Sequence, residues 1–206
     1  MTMNAKRPIL PSKKDLQRAR RVFNENETRD LFYRAALDLV DRSFHKKSEL
    51  NLAEAVAVLL QTWNATYYRF SENFDDKHMR KIERLMIKNE GLLKSSRKKD
   101  ITCFNIEKDK PVILNLFKRF ETVLGPVGAS KCLHLLAPKY FPLWDRSIAA
   151  KYGFPLQTRG TNNDRYFRFM LIIKEQCEHI SRFKGINRPI KAIDEYNYCK
   201  FVKKWI

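Results

Sequence analysis

Apolar residues recur along most of the chain at steps of three and four, which is the period of an amphipathic α-helix. The strict alternation of apolar and polar positions that is typical of a half-buried strand is not sustained anywhere. The periodic stretches predict helices over about 28–44, 51–70, 75–90, 111–124, 164–181 and 189–204. We therefore predict an all-α fold in a single helical domain without internal repeats.

One predicted helix differs from the others in its pattern. Its stretch 52–60 is apolar nearly all round, which indicates a helix buried in the centre of the fold. The helix over 75–90 is expected to stop near Gly91, and residues 94–110, which are rich in lysine and arginine and lack periodicity, are expected to form a basic loop. Pro111 then suits the first turn of the helix that follows.

The charge of the chain narrows the choice of partner. Lysine and arginine number 41 against 23 acidic residues, a net charge of +18, whereas the hydrophobic content of 44% is ordinary for a globular core. Such a surface attracts polyanions, so nucleic acid is the expected partner. An anionic membrane surface and a merely basic protein are the alternatives. Residues 1–21 are predicted to be a basic, mobile arm that contacts phosphates or is simply solvated, and 22–206 the domain.

The cysteines argue against a metal centre or a cofactor. Cys103, Cys132, Cys177 and Cys199 include no CxxC pair, so we expect no zinc site and no iron–sulfur cluster. Free thiols fit a reducing cytoplasm. No apolar run approaches the roughly 20 residues of a membrane span. We expect a cytoplasmic monomer that does not enter a membrane.

A glycine turn lies between two of the predicted helices, in the segment Leu124-Gly125-Pro126-Val127-Gly128. Glycine adopts backbone angles that other residues resist, and it leaves the backbone N–H groups at the start of the next helix uncovered, where an anion is favoured. In so basic a chain that anion is expected to be a DNA phosphate. The alternative is a plain turn between two helices.

The order of features around this turn resembles the helix-hairpin-helix DNA glycosylases, the base-excision superfamily of endonuclease III and the oxoguanine glycosylases. The resemblance is carried by the Leu-x-x-Val-Gly hairpin at 124–128, the Pro-x-x-Asp turn at 142–145 and the segment 59–62 that ends a buried helix. It covers roughly residues 50–153. The chain departs from the family in its Gly-Pro-Val-Gly order, in a lysine three rather than two residues after the second glycine, and in lacking the cluster-binding cysteines.

The resemblance implies a glycosylase that flips a damaged or modified base out of double-stranded DNA, with an associated abasic-site lyase activity. Asp145 would stabilise the cationic sugar, and Lys131 would attack C1′ and form a Schiff base. The implied DNA-binding residues are Gly125, Val127, Gly128, Ser130, Gln61, Trp63 and Asn64, and the implied base pocket is Trp144, Phe141 and His134.

Structural explanations exist for the same residues. Asp145 is a good helix N-cap, Lys131 fits a solvated or phosphate-touching lysine, and the aromatic and histidine candidates fit a packed core. The nucleophile is either Lys131 or a water. A non-catalytic helix-hairpin-helix DNA-binding protein is the alternative function, and an RNA-binding or interaction module is a third. The excised base is open, including a hypermodified base of foreign DNA.

Overall fold

Nine α-helices and no strand make up the regular structure of residues 9–206, which are the residues described in a computed structural model of the chain. The all-α prediction is thereby confirmed for that part of the chain. The helices are α1 Lys13–Asn26, α2 Asp30–Phe44, α3 Leu52–Trp63, α4 Ala65–Phe70, α5 Asp76–Arg97, α6 Ile106–Leu136, α7 Arg146–Lys151, α8 Asn163–Ile180 and α9 Pro189–Asn197, with a 3₁₀ turn at Ile101–Cys103 and a π-helical turn at Tyr198–Val202.

The hydrophobic core is built around α3, as the apolar stretch 52–60 predicted. Asn51 caps the helix by accepting the N–H groups of Ala53 and Glu54. Its buried side chains are Ala53, Ala55, Val56, Leu59 and Leu60, and the helix packs against α2, α5 and α6. One continuous cluster of buried apolar residues runs from α1 to the C-terminal turn, so the described chain has a single core.

The predicted basic arm is wrong for residues 13–21, which form most of α1. Ser12 caps this helix, because its hydroxyl accepts the N–H of Asp15 at 3.2 Å. Leu16, Ala19 and Phe23 form a buried stripe, and the helix packs against α9. The basic residues of this segment lie on the other faces of an amphipathic helix, and the apolar stripe holds them to the domain. Residues 1–8 of the predicted arm lie outside the described residues.

The predicted basic loop over 94–110 is also shorter than expected. Helix α5 continues to Arg97 because Leu93 and Ser96 are buried and the guanidinium of Arg97 donates to the Leu136 carbonyl at 2.9 Å. Helix α6 starts at Ile106, since the side chain of Asn105 accepts the N–H of Lys108. Pro111 therefore lies in the second turn of α6 rather than at its start, and only residues 98–105 connect the two helices.

The helix predicted over 51–70 is divided at Asn64. The backbone of this residue leaves the helical angles, with φ −116° and ψ 20°, so that it ends α3 and precedes α4. A second interruption lies within α6 at Gly125, which has φ 69° and ψ 169°. These two breaks lie next to each other in space, and the candidate site is assembled beside them.

Candidate functional site

The break in α6 brings the two glycines of the predicted turn against the α3–α4 junction. Pro126 starts the second part of α6, where a fixed φ and a missing N–H cost nothing. A Cβ atom on Gly125 would lie 2.9 Å from Cε2 of Tyr67, and a Cβ on Gly128 would lie 2.6 Å from Nδ2 of Asn64. Gly125 also has a positive φ, which non-glycine residues rarely adopt. Close internal packing is therefore the reason for both glycines.

Side chains from elsewhere satisfy the carbonyl groups that the first part of α6 leaves open at this break. Tyr67 donates its hydroxyl to the Val123 carbonyl at 3.3 Å, and Asn64 donates its amide to the Leu124 carbonyl at 3.4 Å. Arg159 donates to the same Val123 carbonyl at 3.3 Å. The turn is thus a rigid joint between α6, α4 and the loop before α8.

Several residues expected to touch DNA are buried at this joint instead. Gly125, Gly128 and Asn64 are buried, and Ser130 is fully inaccessible. The Ser130 hydroxyl donates to the Trp144 carbonyl at 2.8 Å and accepts the Trp144 N–H at 3.2 Å, which fixes the segment leading to Asp145. Direct contact with a ligand is therefore wrong for Ser130 in this structure, because its hydroxyl is enclosed. Val127 is partly exposed and Gln61 is exposed.

Lys131 and Asp145 line the same cavity. The cavity has a volume of about 80 Å³. Its walls are Phe23, Glu27, Arg29, Trp63, Lys131, Leu143, Trp144, Asp145, Ile148, Asp194 and Tyr198. It is smaller than the roughly 300–1,000 Å³ of most small-molecule sites, so a nucleotide enters only if a wall moves.

The amine of Lys131 is held at the end of α3. It donates a hydrogen bond to the backbone carbonyl of Trp63, one of the carbonyls that the last turn of a helix leaves without a partner. No carboxylate lies within 4.0 Å of this amine among residues 9–206. Burial lowers the pKa of Lys131 to about 8, although Asp145 and Asp194 act in the opposite direction. The lysine is therefore fixed in place but poorly compensated in charge.

Asp145 is the N-cap of α7 and lines the same cavity as Lys131. Its Oδ1 accepts the N–H of Ile148 at 2.7 Å, so the N-cap predicted at this position is confirmed. Burial raises the pKa of Asp145, and the Ile148 hydrogen bond and the charge of Lys131 oppose this rise. The cap thus fixes the orientation of the carboxylate at the start of α7.

No protein-family model, no curated protein and no solved structure matches this chain.

One wall of the cavity is a polar network that the sequence analysis missed. Arg29 donates to both oxygens of Glu27, at 2.9 and 3.0 Å, and to the hydroxyl of Tyr198 at 2.8 Å, and Tyr198 in turn donates to Glu27. Burial would raise the pKa of Glu27, but the hydrogen bonds from Arg29 and Tyr198 lower it to about 2. This network joins the α1–α2 connection to the C-terminal turn. No local signal marks it, because Glu27 and Tyr198 are far apart in the chain.

A second carboxylate, Asp194 of α9, was also missed. It lines the cavity, its side chain is 12% exposed, and its Oδ2 lies 3.8 Å from the amine of Lys191. Burial raises the pKa of Asp194 to about 6, against the opposing charge of Lys191. The cavity is therefore lined by one amine, that of Lys131, and by three carboxyl groups, those of Glu27, Asp145 and Asp194.

The predicted base pocket is only partly assembled. Trp144 lines the cavity, but it is 1% exposed and packs against Phe117 and Phe169 in the core. Phe141 is fully buried and does not line the cavity. His134 lies instead against a separate cavity of about 650 Å³. The three side chains do not form one pocket: Trp144 lines the cavity of Lys131, His134 lines the other cavity, and Phe141 lines neither.

The environment of His134 makes it a neutral, fixed packing residue. Its Nδ1 must donate to the Phe141 carbonyl at 2.8 Å, since a carbonyl only accepts, so its Nε2 accepts the Tyr33 hydroxyl at 2.9 Å. Burial lowers the pKa of His134 to about 4. These contacts fit the alternative interpretation of His134 as a packed core residue.

Trp63 forms the wall between Lys131 and α2. Its ring stacks on Tyr33 with centroids 5.5 Å apart, and its Nε1 donates to the Arg29 carbonyl at 3.1 Å. The Trp63 side chain is partly buried, and its contacts with Tyr33 and the Arg29 carbonyl fix its position beside the cavity. Among residues 9–206 no group of His, Cys, Asp or Glu side chains is arranged to hold a metal ion, and no helix there is long and apolar enough to span a membrane.

Proposed function

We propose that this protein is a DNA glycosylase of the helix-hairpin-helix type that excises a damaged or modified base and cleaves the resulting abasic site. Lys131 is the nucleophile and Asp145 the carboxylate that stabilises the cationic sugar. The observation that carries the proposal is the placement of these two side chains in one cavity, with the amine held by a backbone carbonyl rather than by an acid.

The environment of Lys131 suits attack on the sugar. Only a neutral amine is a nucleophile. With a pKa of about 8, about one molecule in ten carries a neutral Lys131 at pH 7, against about one in a few thousand for an ordinary lysine. Burial in the cavity thus supplies the reactive form at a pH where exposed lysines are inert.

Asp145 suits the second role because its position is fixed before the reaction. The hydrogen bond from Ile148 orients the carboxylate, and burial strengthens its interaction with a positive charge that develops nearby. A group that is held in place in this way needs no reorganisation when the glycosidic bond breaks.

Opening of the cavity is part of the proposal, since about 80 Å³ does not hold a nucleotide. The polar network of Glu27, Arg29 and Tyr198 is the wall that moves, because Arg29 is half-exposed and its network is hydrogen-bonded rather than packed. Gly125 and Gly128 shape the turn, while Val127, Gln61 and the many basic side chains supply the DNA-facing surface. With a net charge of +18, affinity for duplex DNA is expected to fall steeply as salt rises.

Reductive trapping tests this proposal without knowledge of the excised base. The protein is incubated with a duplex that carries one abasic site and with borohydride, which reduces a Schiff base to a stable amine. The wild-type chain is expected to form a covalent adduct, Lys131→Gln to form none, and the exposed control Lys88→Gln to match the wild type. A wild-type chain that binds the duplex, forms no adduct and releases no base from a panel of single-lesion duplexes is a non-catalytic DNA-binding protein.

A further inference from the structure

Asp194 is the carboxylate of the cavity that is held by an ion pair alone. Among residues 9–206 its side chain accepts no hydrogen bond, and its nearest charged partner is the Lys191 amine at 3.8 Å. Asp145 differs, since its Oδ1 is engaged by Ile148 at 2.7 Å. A carboxylate with unoccupied lone pairs that lines the same cavity as an amine can accept and return a proton through water.

We propose that Asp194 transfers protons between the amine of Lys131 and the oxygen at C1′ during Schiff-base formation. This inference rests on the proposed function and adds a second reacting residue to it. It places the proton-transfer role on α9, and it leaves Asp145 with the electrostatic role at the sugar.

The step balances without any further reactant. Because no carboxylate of the described residues lies within 4.0 Å of the Lys131 amine, the transfer runs through one bridging water: Asp194 takes one proton from the ammonium of Lys131 by this route, and the freed nitrogen lone pair bonds to C1′ of the open-chain sugar. The C=O π pair moves to the oxygen, which receives that proton from Asp194. A second proton leaves the nitrogen by the same route as the C–O bond breaks, so that one ammonium and one aldehyde yield one protonated imine and one water.

The charges around Asp194 keep it suited to this exchange. Burial raises its pKa to about 6, near the working pH that favours general acid–base catalysis. The charged groups that face it are Lys191 and Glu195 on α9, Asp30 on α2, Lys131 on α6, Asp145 on α7, and the Glu27–Arg29 pair in the same cavity wall. Charges of both signs therefore surround the carboxyl group, and burial is the main cause of its raised pKa.

Glu195 supplies a matched control from the same helix. It also lies 3.8 Å from the Lys191 amine and is also buried, but it faces a different cavity on the side of α1 and Lys184. Glu195→Gln therefore removes a carboxylate from the Lys191 cluster without removing one from the Lys131 cavity. Asp194→Asn removes a carboxylate from the Lys191 cluster and from the Lys131 cavity.

The experiment measures the single-turnover rate of adduct formation with the abasic-site duplex and cyanoborohydride between pH 5 and 9. We expect the wild-type rate to rise near pH 6, and we expect Asp194→Asn to remove this rise and to slow the reaction roughly 100-fold, the lower end of general acid–base effects. Glu195→Gln is expected to stay within threefold of the wild type. Asp145→Asn, which is expected to lose base release, keeps the rise near pH 6 on this substrate.

Three outcomes decide the assignment. The assignment of Asp194 is overturned if Asp194→Asn stays within threefold of the wild-type rate, or if it loses no more than Glu195→Gln does. In either case the proposed function stands as long as Lys131→Gln abolishes the adduct. A second variant, Asp194→Glu, keeps a titrating carboxyl group and should keep the rise in rate near pH 6. The absence of this rise in Asp194→Glu also overturns the assignment. No adduct in the wild type, or a full adduct in Lys131→Gln, contradicts the proposed function itself.

Discussion

Lys131 and Lys191 are two largely buried lysines beside the same tryptophan ring, and their surroundings are opposite. The amine of Lys191 lies 3.2 Å from Asp30 and 3.8 Å from both Asp194 and Glu195. It also lies 4.4 Å from the ring centroid of Phe23 and 4.6 Å from that of Tyr33. The amine of Lys131, in contrast, donates its hydrogen bond to a backbone carbonyl, that of Trp63.

The difference shows that two buried lysines of the same fold can differ widely in how their charge is compensated. Three carboxylates and two aromatic rings surround the amine of Lys191, and the three acids depend on it for charge compensation. Lys131 has the same side chain, but the position of its helix keeps it beyond ion-pairing distance of Asp145. The number of acidic partners thus separates a structural lysine from the proposed nucleophile.

The largest expected effect is on stability at Lys191. Lys191→Met leaves Asp30, Asp194 and Glu195 buried without their cation, and removal of one partner from such a cluster typically costs about 3–5 kcal/mol. Urea denaturation at pH 8 measures the loss. It is expected to shrink at pH 5, because Glu195 and Asp194, with pKa values of about 7 and 6, then take up protons.

The matched control for this variant is the exposed Lys184→Met, which is expected to change stability by less than about 0.5 kcal/mol. A loss below about 1 kcal/mol in Lys191→Met, at every pH, would mean that the three acids do not need this cation and that the two lysines are equivalent.

An intermediate effect is expected from the ionisation of Lys131. Its pKa is about 8 in the folded chain and about 10.4 when unfolded, so between these values the unfolded chain holds the extra proton and the folded state gains stability as pH rises. Relative to Lys131→Met, the wild type is expected to gain roughly 2–3 kcal/mol from pH 7 to pH 10.5. Denaturation of both proteins at each pH measures this difference, in which all other titrating groups cancel.

The opposite trend would contradict the comparison. If the wild type lost stability relative to Lys131→Met over that range, the lysine would be a compensated cation like Lys191, and its proposed role as a neutral nucleophile would be without support.

The smallest effect is expected at Trp63, which both lysines adjoin with their amines 6.0 and 5.7 Å from the ring centroid. Trp63→Phe loses the hydrogen bond to the Arg29 carbonyl and some packing, a cost of about 1–2 kcal/mol. Thermal unfolding measures that loss. Adduct formation is expected to fall less than tenfold, because the carbonyl that holds Lys131 belongs to the backbone.

Trp205→Phe at the C-terminal end is the control, with a change in stability but none in trapping. A Trp63→Phe chain that is as stable as the wild type yet forms no adduct would show that the ring, and not the carbonyl, positions Lys131.

Local patterns in the sequence were sufficient for several of these features. The steps of three and four predicted the helices, the all-round apolar run predicted the burial of α3, and Asp145 before a short helix predicted its cap. These properties depend on residues within a turn or two of each other. The errors lay where a distant contact outweighed the local pattern, as at α1, whose stripe packs on α9, and at Arg97, which extends α5 by binding the end of α6.

The sequence by itself therefore determined the helical class, the buried central helix, the turn at Gly125 and the presence of Lys131 and Asp145 beside it. Only the tertiary structure decided which groups surround these two residues: Asp194, the Glu27–Arg29–Tyr198 wall and the carbonyl of Trp63, and also the separation of His134 from them. The physical reason is one of range. Helix periodicity and capping are set by near neighbours, whereas the pKa of a buried amine is set by burial and by charges that packing brings from helices remote in the chain.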